Sequence, residues 1–260
     1  MSIVEILGLG AAAAAAGAIN AVAGGGTILT FPALLAFGVP STVANATSTL
    51  ALVIGNIGSV YGYRRQMERV RPWLARFVPV SIAGAVLGSW LLTVTPEKAF
   101  SRLVPFLILF ATVLFFLQGA FRKIAARGME EGKTEVTASH AQMGAVVFQF
   151  LVAVYGGYFG AGIGILMLAS LGFIGLEDIH EMNGLKSILS GLINLVAAIL
   201  FVFAGLIDWP PAGVMTVCAL AGYFLGSHYS QKIPQARVRQ VITAIGLLLS
   251  AWTFYKQFLK

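Results

Sequence analysis

The sequence predicts an all-α polytopic membrane protein with two inverted repeats, each a glycine-tipped helical hairpin plus three transmembrane helices. The first observation is composition: 58% of the 260 residues are hydrophobic, 10% are charged, and the mean hydropathy is +0.87. A soluble domain usually carries about 25% charged residues, so this chain cannot cover a water-facing surface. The second observation is a set of polar residues and glycines that recurs at one offset, and the third is the position of the basic loops.

Apolar segments follow one another along the whole chain, and runs of about 20 residues favour transmembrane helices over a barrel. Two segments, 27–38 and 163–175, are too short to span a core of about 30 Å as straight helices, and each follows a glycine cluster. We expect each to be the second arm of a helical hairpin that turns at its glycine tip, with its irregular backbone buried in protein or lining a cavity. The ten apolar segments are 6–22, 27–38, 43–62, 73–94, 99–120, 142–159, 163–175, 184–206, 210–229 and 238–258.

Internal repetition divides the chain. Four of the five asparagines form two pairs with an internal spacing of 11 residues, and the second pair follows the first by 138 residues. This offset predicts a first membrane repeat at 1–120, a cytoplasmic linker at 121–140 and a second membrane repeat at 141–260. The positions that recur are Asn45 and Asn183, Asn56 and Asn194, Gly24 and Gly162, Gly26 and Gly164, and Thr49 and Ser187.

The basic residues predict the orientation of the helices. Segments 64–71, 122–140 and 230–239 are rich in arginine and lysine and are therefore expected in the cytoplasm, whereas 95–98 and 207–210 carry little positive charge and are expected outside. Three spans and one hairpin per repeat satisfy these loops and make the repeats inverted. Four spans per repeat, with the short segments as surface loops, would place 230–239 outside. Hairpin arms that span the membrane completely would leave the loop sides unchanged, so the depth of the arms stays open.

A polar stripe runs along one helix of each repeat. Residues spaced by 4, 3 and 4 positions share one face of a helix with 3.6 residues per turn. Such residues commonly hydrogen-bond between transmembrane helices, but their joint recurrence in both repeats favours a substrate path. The stripe consists of Asn183, Ser187, Ser190 and Asn194 in the second repeat, and of Asn45, Thr49 and Asn56 in the first, with Thr47 and Ser48 beside them.

Lys186 borders the second stripe inside an apolar helix pattern, and its counterpart at the offset is Ser48. An intramembrane lysine is a functional candidate that could hold an anion. The alternative is a lysine that extends to the membrane surface near the helix start.

The glycine tips are a second candidate for anion binding. A helix that begins just after each tip would aim backbone N–H groups and a positive dipole end at the centre, although small residues also serve close helix packing. The predicted substrate-binding residues are Gly24, Gly25, Gly26, Thr27, Asn45, Thr47, Ser48, Thr49, Asn56, Gly162, Gly164, Asn183, Lys186, Ser187, Ser190 and Asn194.

Enzymatic, metal and nucleic-acid functions find little support in the sequence. The histidines at positions 140, 180 and 228 share no metal-ligand spacing, no nucleophile elbow or phosphate loop is present, and the basic clusters are explained by topology. We therefore expect no cofactor, no metal and no nucleic-acid partner. The expected partners are a small anion and the lipid bilayer, with a homo-oligomer among the open alternatives.

The glycine and proline motifs carry a family resemblance over essentially the whole chain: the sequence resembles the sulfite exporter TauE/SafE family of bacterial membrane transporters. The resemblance implies a multi-pass protein of the bacterial inner membrane that exports sulfite or small organosulfonates. The chain has Ser170 and Lys186 where the family often has a proline and part of a second Thr-Ser motif. The motifs are Ala23-Gly24-Gly25-Gly26-Thr27, Phe31-Pro32-Ala33-Leu34-Leu35, Gly38-Val39-Pro40, Ala46-Thr47-Ser48 and Gly160-Ala161-Gly162-Ile163-Gly164.

These observations together predict a secondary transporter of a small anion that works by alternating access at the repeat interface. Two other classes stay open: an intramembrane enzyme acting on a lipid-linked substrate, and a passive anion channel. An enzyme should place a carboxylate or histidine beside the glycine tips, and the sequence offers neither there.

Overall fold

The structure is a computed structural model that describes residues 1–22, 25–62, 67–131, 135–171, 179–229 and 235–258. Within these ranges the ordered elements are ten α-helices. They are α1 (Ile3–Val22), α2 (Thr27–Ala36), α3 (Ser41–Gly62), α4 (Met67–Val94), α5 (Glu97–Glu131), α6 (Glu135–Tyr158), α7 (Ile163–Leu171), α8 (Ile179–Phe203), α9 (Trp209–Tyr229) and α10 (Gln235–Phe258).

The order of a long helix, a short helix and three long helices occurs twice, in α1–α5 and in α6–α10. The two short helices, α2 with 10 residues and α7 with 9, lie where the sequence predicts the second hairpin arms. The segment predicted as a linker is helical on both sides of residues 132–134, because α5 continues to Glu131 and α6 begins at Glu135. Alanine, glutamate, lysine and arginine dominate this stretch and are strong helix formers, which accounts for the extension.

Four helices in the described part of the chain are long and apolar enough to cross a membrane, at Ile3–Asn20, Val70–Val94, Glu97–Leu117 and Gly184–Phe203. Large apolar side chains project from the bundle surface, among them Phe116, Phe203 and Phe224, which are 69%, 85% and 75% exposed. A water-soluble protein rarely exposes so much apolar surface, whereas lipid solvates it readily. Length and surface together define a helical membrane protein.

Two helix pairs approach so closely that their backbones touch: α4 with α6, and α1 with α9. A Cβ atom on Gly84 would lie 2.7 Å from the carbonyl oxygen of Phe150, and one on Gly226 would lie 2.7 Å from that of Ala18. Glycines four residues apart permit such packing, which drives helix association in lipid. The sequence Ala-Gly-x-x-Leu-Gly-Ser recurs at 83–89 and 221–227, so the 138-residue offset also relates these two contacts.

The centre of the bundle lies where the short helices meet α3, α5 and α8. Helix α3 contacts α2, α5, α8 and α9, while α8 contacts α3, α4, α6 and α7. The ring of Phe31 on α2 packs edge-on against that of Phe159, which follows α6, with ring centroids 5.4 Å apart. This aromatic contact brings the two glycine-tipped segments toward one another.

Candidate functional site

The first glycine tip is held by a side chain of the preceding helix, α1, which is itself bonded to α9. Gly25 has a φ of +99°, which L-residues rarely adopt, and Gly26 precedes α2. Asn20 on α1 accepts a hydrogen bond from the Gly26 amide at 2.6 Å and donates one to the Tyr223 hydroxyl on α9 at 2.8 Å. The Gly26 amide is therefore already bonded, which corrects the expectation of unpaired N–H groups at that residue. Gly24 lies outside the described residues.

The second tip is bordered by two polar side chains of α8, Asn194 and Lys186. Gly160 and Gly162 have φ values of +82° and +80°, and the Tyr155 hydroxyl donates to the carbonyl of Ala161 between them at 2.7 Å. A Cβ atom on Gly160 would lie 3.5 Å from Oδ1 of Asn194. The predicted site residue Asn194 therefore adjoins this tip.

Lys186 lies against the start of the helix that follows the second tip. A Cβ atom on Gly164 would lie 3.4 Å from Cδ and 3.9 Å from Cε of Lys186. The lysine is partly buried within the apolar span Gly184–Phe203. The structure thus places the aliphatic part of the Lys186 side chain beside Gly164, and the anion-binding role of its ammonium group stays a prediction.

Both tips lie against one aromatic ring. A Cβ atom on Gly25 would overlap the Phe115 ring, 2.7 Å from its Cε1 and Cε2 atoms, and one on Gly162 would lie 3.8 Å from Cε2. Phe115 on α5 is only 1% exposed. Its ring therefore joins the two glycine tips at the centre of the protein.

Two buried polar residues of α3, Asn45 and Ser48, bond to other segments of the chain. Asn45, 1% exposed, donates from Nδ2 to the backbone carbonyl of Tyr158 at 3.0 Å, just before the second tip. Its Oδ1 atom has no hydrogen-bond partner among the described residues. Ser48 and Thr30 share a buried hydroxyl–hydroxyl hydrogen bond of 2.6 Å that links α3 to α2. Helix α3 therefore contacts the surroundings of both tips.

Other predicted residues have hydrogen-bond partners away from the two tips. The Thr47 hydroxyl accepts a hydrogen bond from the Asp208 amide at 3.0 Å, which fixes the segment before α9. Thr49 donates to the Asn45 carbonyl at 2.9 Å and Ser190 to the Ser187 carbonyl at 3.3 Å, each within its own helix. Thr27 begins α2 and is half-buried. The side chains of Asn56 and Asn183 lie outside the described residues.

Sequence reasoning misses several residues of this region. Asn20 is the fifth asparagine, and it stands out in its apolar segment, but its counterpart at the offset is Tyr158 rather than another asparagine. Thr30 is one of two threonines in the short apolar helix α2 and offers a similar signal. Phe115 is one of 18 phenylalanines, and nothing in its sequence context distinguishes it.

An open cleft of about 250 Å³ lies apart from the predicted site residues, at the start of α3. Glu97 on its wall accepts hydrogen bonds from the amides of Ser41 and Thr42 at 2.6 and 2.9 Å and from the Thr42 hydroxyl at 2.6 Å. The carboxylate thus caps α3, where negative charge complements the helix dipole. Ser41 also lines the cleft and lies one turn, about 6 Å, before Asn45.

A bundle of apolar helices that places amides, hydroxyls and a partly buried lysine beside two glycine-rich helix breaks is built like a membrane transporter. In the described residues, no three histidine, cysteine, aspartate or glutamate side chains come together as a metal-ligand group. The profile of the family described as "Sulfite exporter TauE/SafE" matches residues 9–253, and the chain belongs to this family.

Curated relatives agree with this assignment. The chain is 29% identical over 241 residues to a "Probable membrane transporter protein" of Haemophilus influenzae, covering 92% of this chain and 90% of that one. It is 27% identical to "Probable membrane transporter protein ORF9" of Sinorhizobium sp., with 92% and 87% covered, and 25% identical to "Probable membrane transporter protein YfcA" of Escherichia coli K12, with 92% and 86% covered. No solved structure matches the chain. The prediction of a transporter rather than an enzyme is confirmed.

Proposed function

We propose that this protein is a secondary transporter that exports small sulfur-containing anions, such as sulfite or organosulfonates, across the bacterial inner membrane by alternating access. The observation that carries the proposal is Lys186, which lies beside Gly164 at the second tip while both tips contact Phe115. The family name supports a sulfur oxyanion as the substrate class. The ammonium group would supply the charge, and neighbouring amides and hydroxyls would supply hydrogen bonds.

The pattern of helix contacts supports two related halves, 1–120 and 141–260. Helices α1–α5 of the first half correspond in order to α6–α10 of the second. The contact of α1 with α9 then matches that of α6 with α4, and the contact of α3 with α9 matches that of α8 with α4. The contacts of α3 with α8 and of α5 with α10 map onto themselves. A pseudo-two-fold axis through these two contacts would relate the halves, and the basic loops favour an axis in the membrane plane.

The two halves contribute different chemistry to the proposed site. Ser48 of the first repeat occupies the position of Lys186 at the 138-residue offset, so one half offers a hydroxyl and the other a cation. Asn194 lies beside the second tip and Asn45 beside the residues that precede it. A centre with one positive charge and several uncharged polar groups suits a small monovalent anion.

Transport into liposomes that contain the purified protein tests the proposal. Lys186→Met should insert and fold but lose saturable uptake of sulfite or a sulfonate, and Lys186→Arg should retain only part of it because guanidinium differs in shape and donor geometry. Lys98→Met is the matched control, since Lys98 is exposed at the start of α5. Wild-type uptake by Lys186→Met would refute the charge role. Flux that rises without saturation would identify a channel instead.

Labelling of single cysteines tests the inverted arrangement. In a Cys218→Ala background, Trp209→Cys, which is exposed at the start of α9, should react in intact cells with a reagent that cannot cross the membrane. Gln235→Cys should react only after the cells are opened, because the basic segment 230–239 is expected in the cytoplasm. Equal reaction of both positions in intact cells would rule out inverted repeats.

A further inference from the structure

We infer that the transported anion carries a hydrogen-bond donor, an O–H or N–H group, and that Oδ1 of Asn45 accepts a hydrogen bond from it. The inference rests on the proposed function and names the substrate class more closely. Asn45 is 1% exposed, and its Oδ1 has no hydrogen-bond partner among the described residues. Buried polar atoms are usually hydrogen-bonded, so an unpaired one at a candidate site indicates a ligand contact.

The orientation of the Asn45 amide is fixed by its neighbour. Its Nδ2 atom lies 3.0 Å from the carbonyl oxygen of Tyr158, which can only accept. The reverse orientation would bring two acceptor oxygens to that distance. The unpaired atom is therefore the side-chain oxygen, and only a donor can satisfy it.

The position of Asn45 connects it to the rest of the site. Tyr158 is the last residue of α6, and the second glycine tip follows directly. On the other side, Ser41 lines the open cleft one turn before Asn45 on α3. Asn45 is thus one helical turn from a residue of the cleft and is bonded to the residue that ends α6 before a tip.

Two other buried atoms lack a partner in the described part of the chain, and they lie in different surroundings. Gln149 belongs to the seam of α4 and α6, about 13 Å along α6 from Tyr158, and its Nε2 donates to Ser81 at 2.8 Å. Thr243 lies on α10, and its hydroxyl can rotate toward a carbonyl of its own helix. Asn45 is the unpaired group that adjoins a tip.

The negative charge and the hydrogen-bond donor that the site requires together define the ligand. An anion whose accessible atoms are all acceptors would place an oxygen against Oδ1 and leave that atom unsatisfied. An anion with a donor can present negative oxygens to Lys186 and its O–H or N–H to Asn45. Protonated oxyanions and sulfonates that bear a hydroxyl have both groups.

Isethionate and ethanesulfonate form a matched pair of probes, because they differ only in one hydroxyl group. With the purified full-length protein in liposomes, isethionate should have a KM roughly tenfold to a hundredfold below that of ethanesulfonate, as expected for one unsatisfied buried polar group. In Asn45→Leu this ratio should fall to about one. Thr112→Val, at a buried threonine of α5 whose hydroxyl bonds to the Ile108 carbonyl of its own helix, should keep the wild-type ratio.

Each outcome decides the inference. The ratio is taken within one preparation, so incomplete insertion of a variant does not affect it, and the wild-type ratio is decisive even if Asn45→Leu does not fold. Equal KM values in the wild type would overturn the inference and leave the proposed transporter intact. A ratio that persists in Asn45→Leu would also overturn it. Absence of saturable transport for sulfite and both sulfonates would overturn the proposed function and this inference with it.

Discussion

Replacing Gly25 with alanine tests whether the two glycine tips meet at Phe115. Two costs add in this variant. A φ of +99° disfavours any L-residue by roughly 1–2 kcal/mol. The new Cβ would also overlap the Phe115 ring, and overpacking a buried contact typically costs about 1–3 kcal/mol. The expected destabilisation is therefore about 2–5 kcal/mol.

Gly38 provides the control because it has a similar φ of +82°, but a Cβ atom added to it would meet nothing within 4 Å. Gly38→Ala should therefore be destabilised only by the unfavourable backbone angle, by about 1–2 kcal/mol. Thermal unfolding of the purified variants in detergent measures the difference, with Gly25→Ala melting several degrees below Gly38→Ala. Transport by Gly25→Ala should fall as well, since the tip must shift.

A second substitution separates the two costs. Phe115→Leu removes the ring atoms that the new methyl group would meet, so the pair Gly25→Ala and Phe115→Leu should be less destabilised than the sum of the single changes. Equal melting temperatures for the alanine variants at positions 25 and 38 would refute the reasoning. Additive effects in the double variant would show that the ring does not contact the first tip.

Two further predictions concern helix contacts around the site. Tyr223→Phe removes the hydroxyl that accepts from the Asn20 amide and should lower the stability by about 1 kcal/mol. Asn20→Leu should lower it more, because it also leaves the Gly26 amide without its acceptor. Melting temperatures in the reverse order would contradict this. Gly222→Ala should lower the melting temperature more than Gly213→Ala on the same helix, because a Cβ at 222 overlaps the α1 backbone whereas a Cβ at 213 has no neighbour within 4 Å. Equal shifts would contradict the close packing of α1 and α9.

Much of the architecture is predictable because a chain in lipid must satisfy its backbone hydrogen bonds internally, which favours apolar helices. Helix α2 ends at Ala36, close to the predicted boundary, because Gly38 and Val39 bond back to Leu35 and Leu34 and close the last turn. The duplicated glycines of α4 and α9 are also visible in the sequence. Their role needs the structure, since the offset alone does not say that α4 packs on α6 and α9 on α1.

The site is less predictable than the fold, because helical periodicity shows which residues share a helix face but not which helix or loop that face contacts. Thr47 shares the buried part of α3 with Asn45, yet it bonds to the Asp208 amide rather than to either tip. The partner of Asn45 is a backbone carbonyl, which every residue possesses and no sequence pattern reveals. Phe115 reaches both tips from a helix that the sequence predicts only as a span.

The differences between the two tips indicate how binding and movement can be linked. The first tip is tied to α1 and α9 through Asn20, so its amide is engaged within the protein. At the equivalent of Gly26, Gly164 contacts the chain of Lys186 instead. A bound monovalent anion would therefore change the charge balance at the second tip and leave the hydrogen bonds of the first tip as they are. Occupancy would thus act on the second tip while the first stays fixed to α1 and α9, and this asymmetry would let a carrier couple binding to movement.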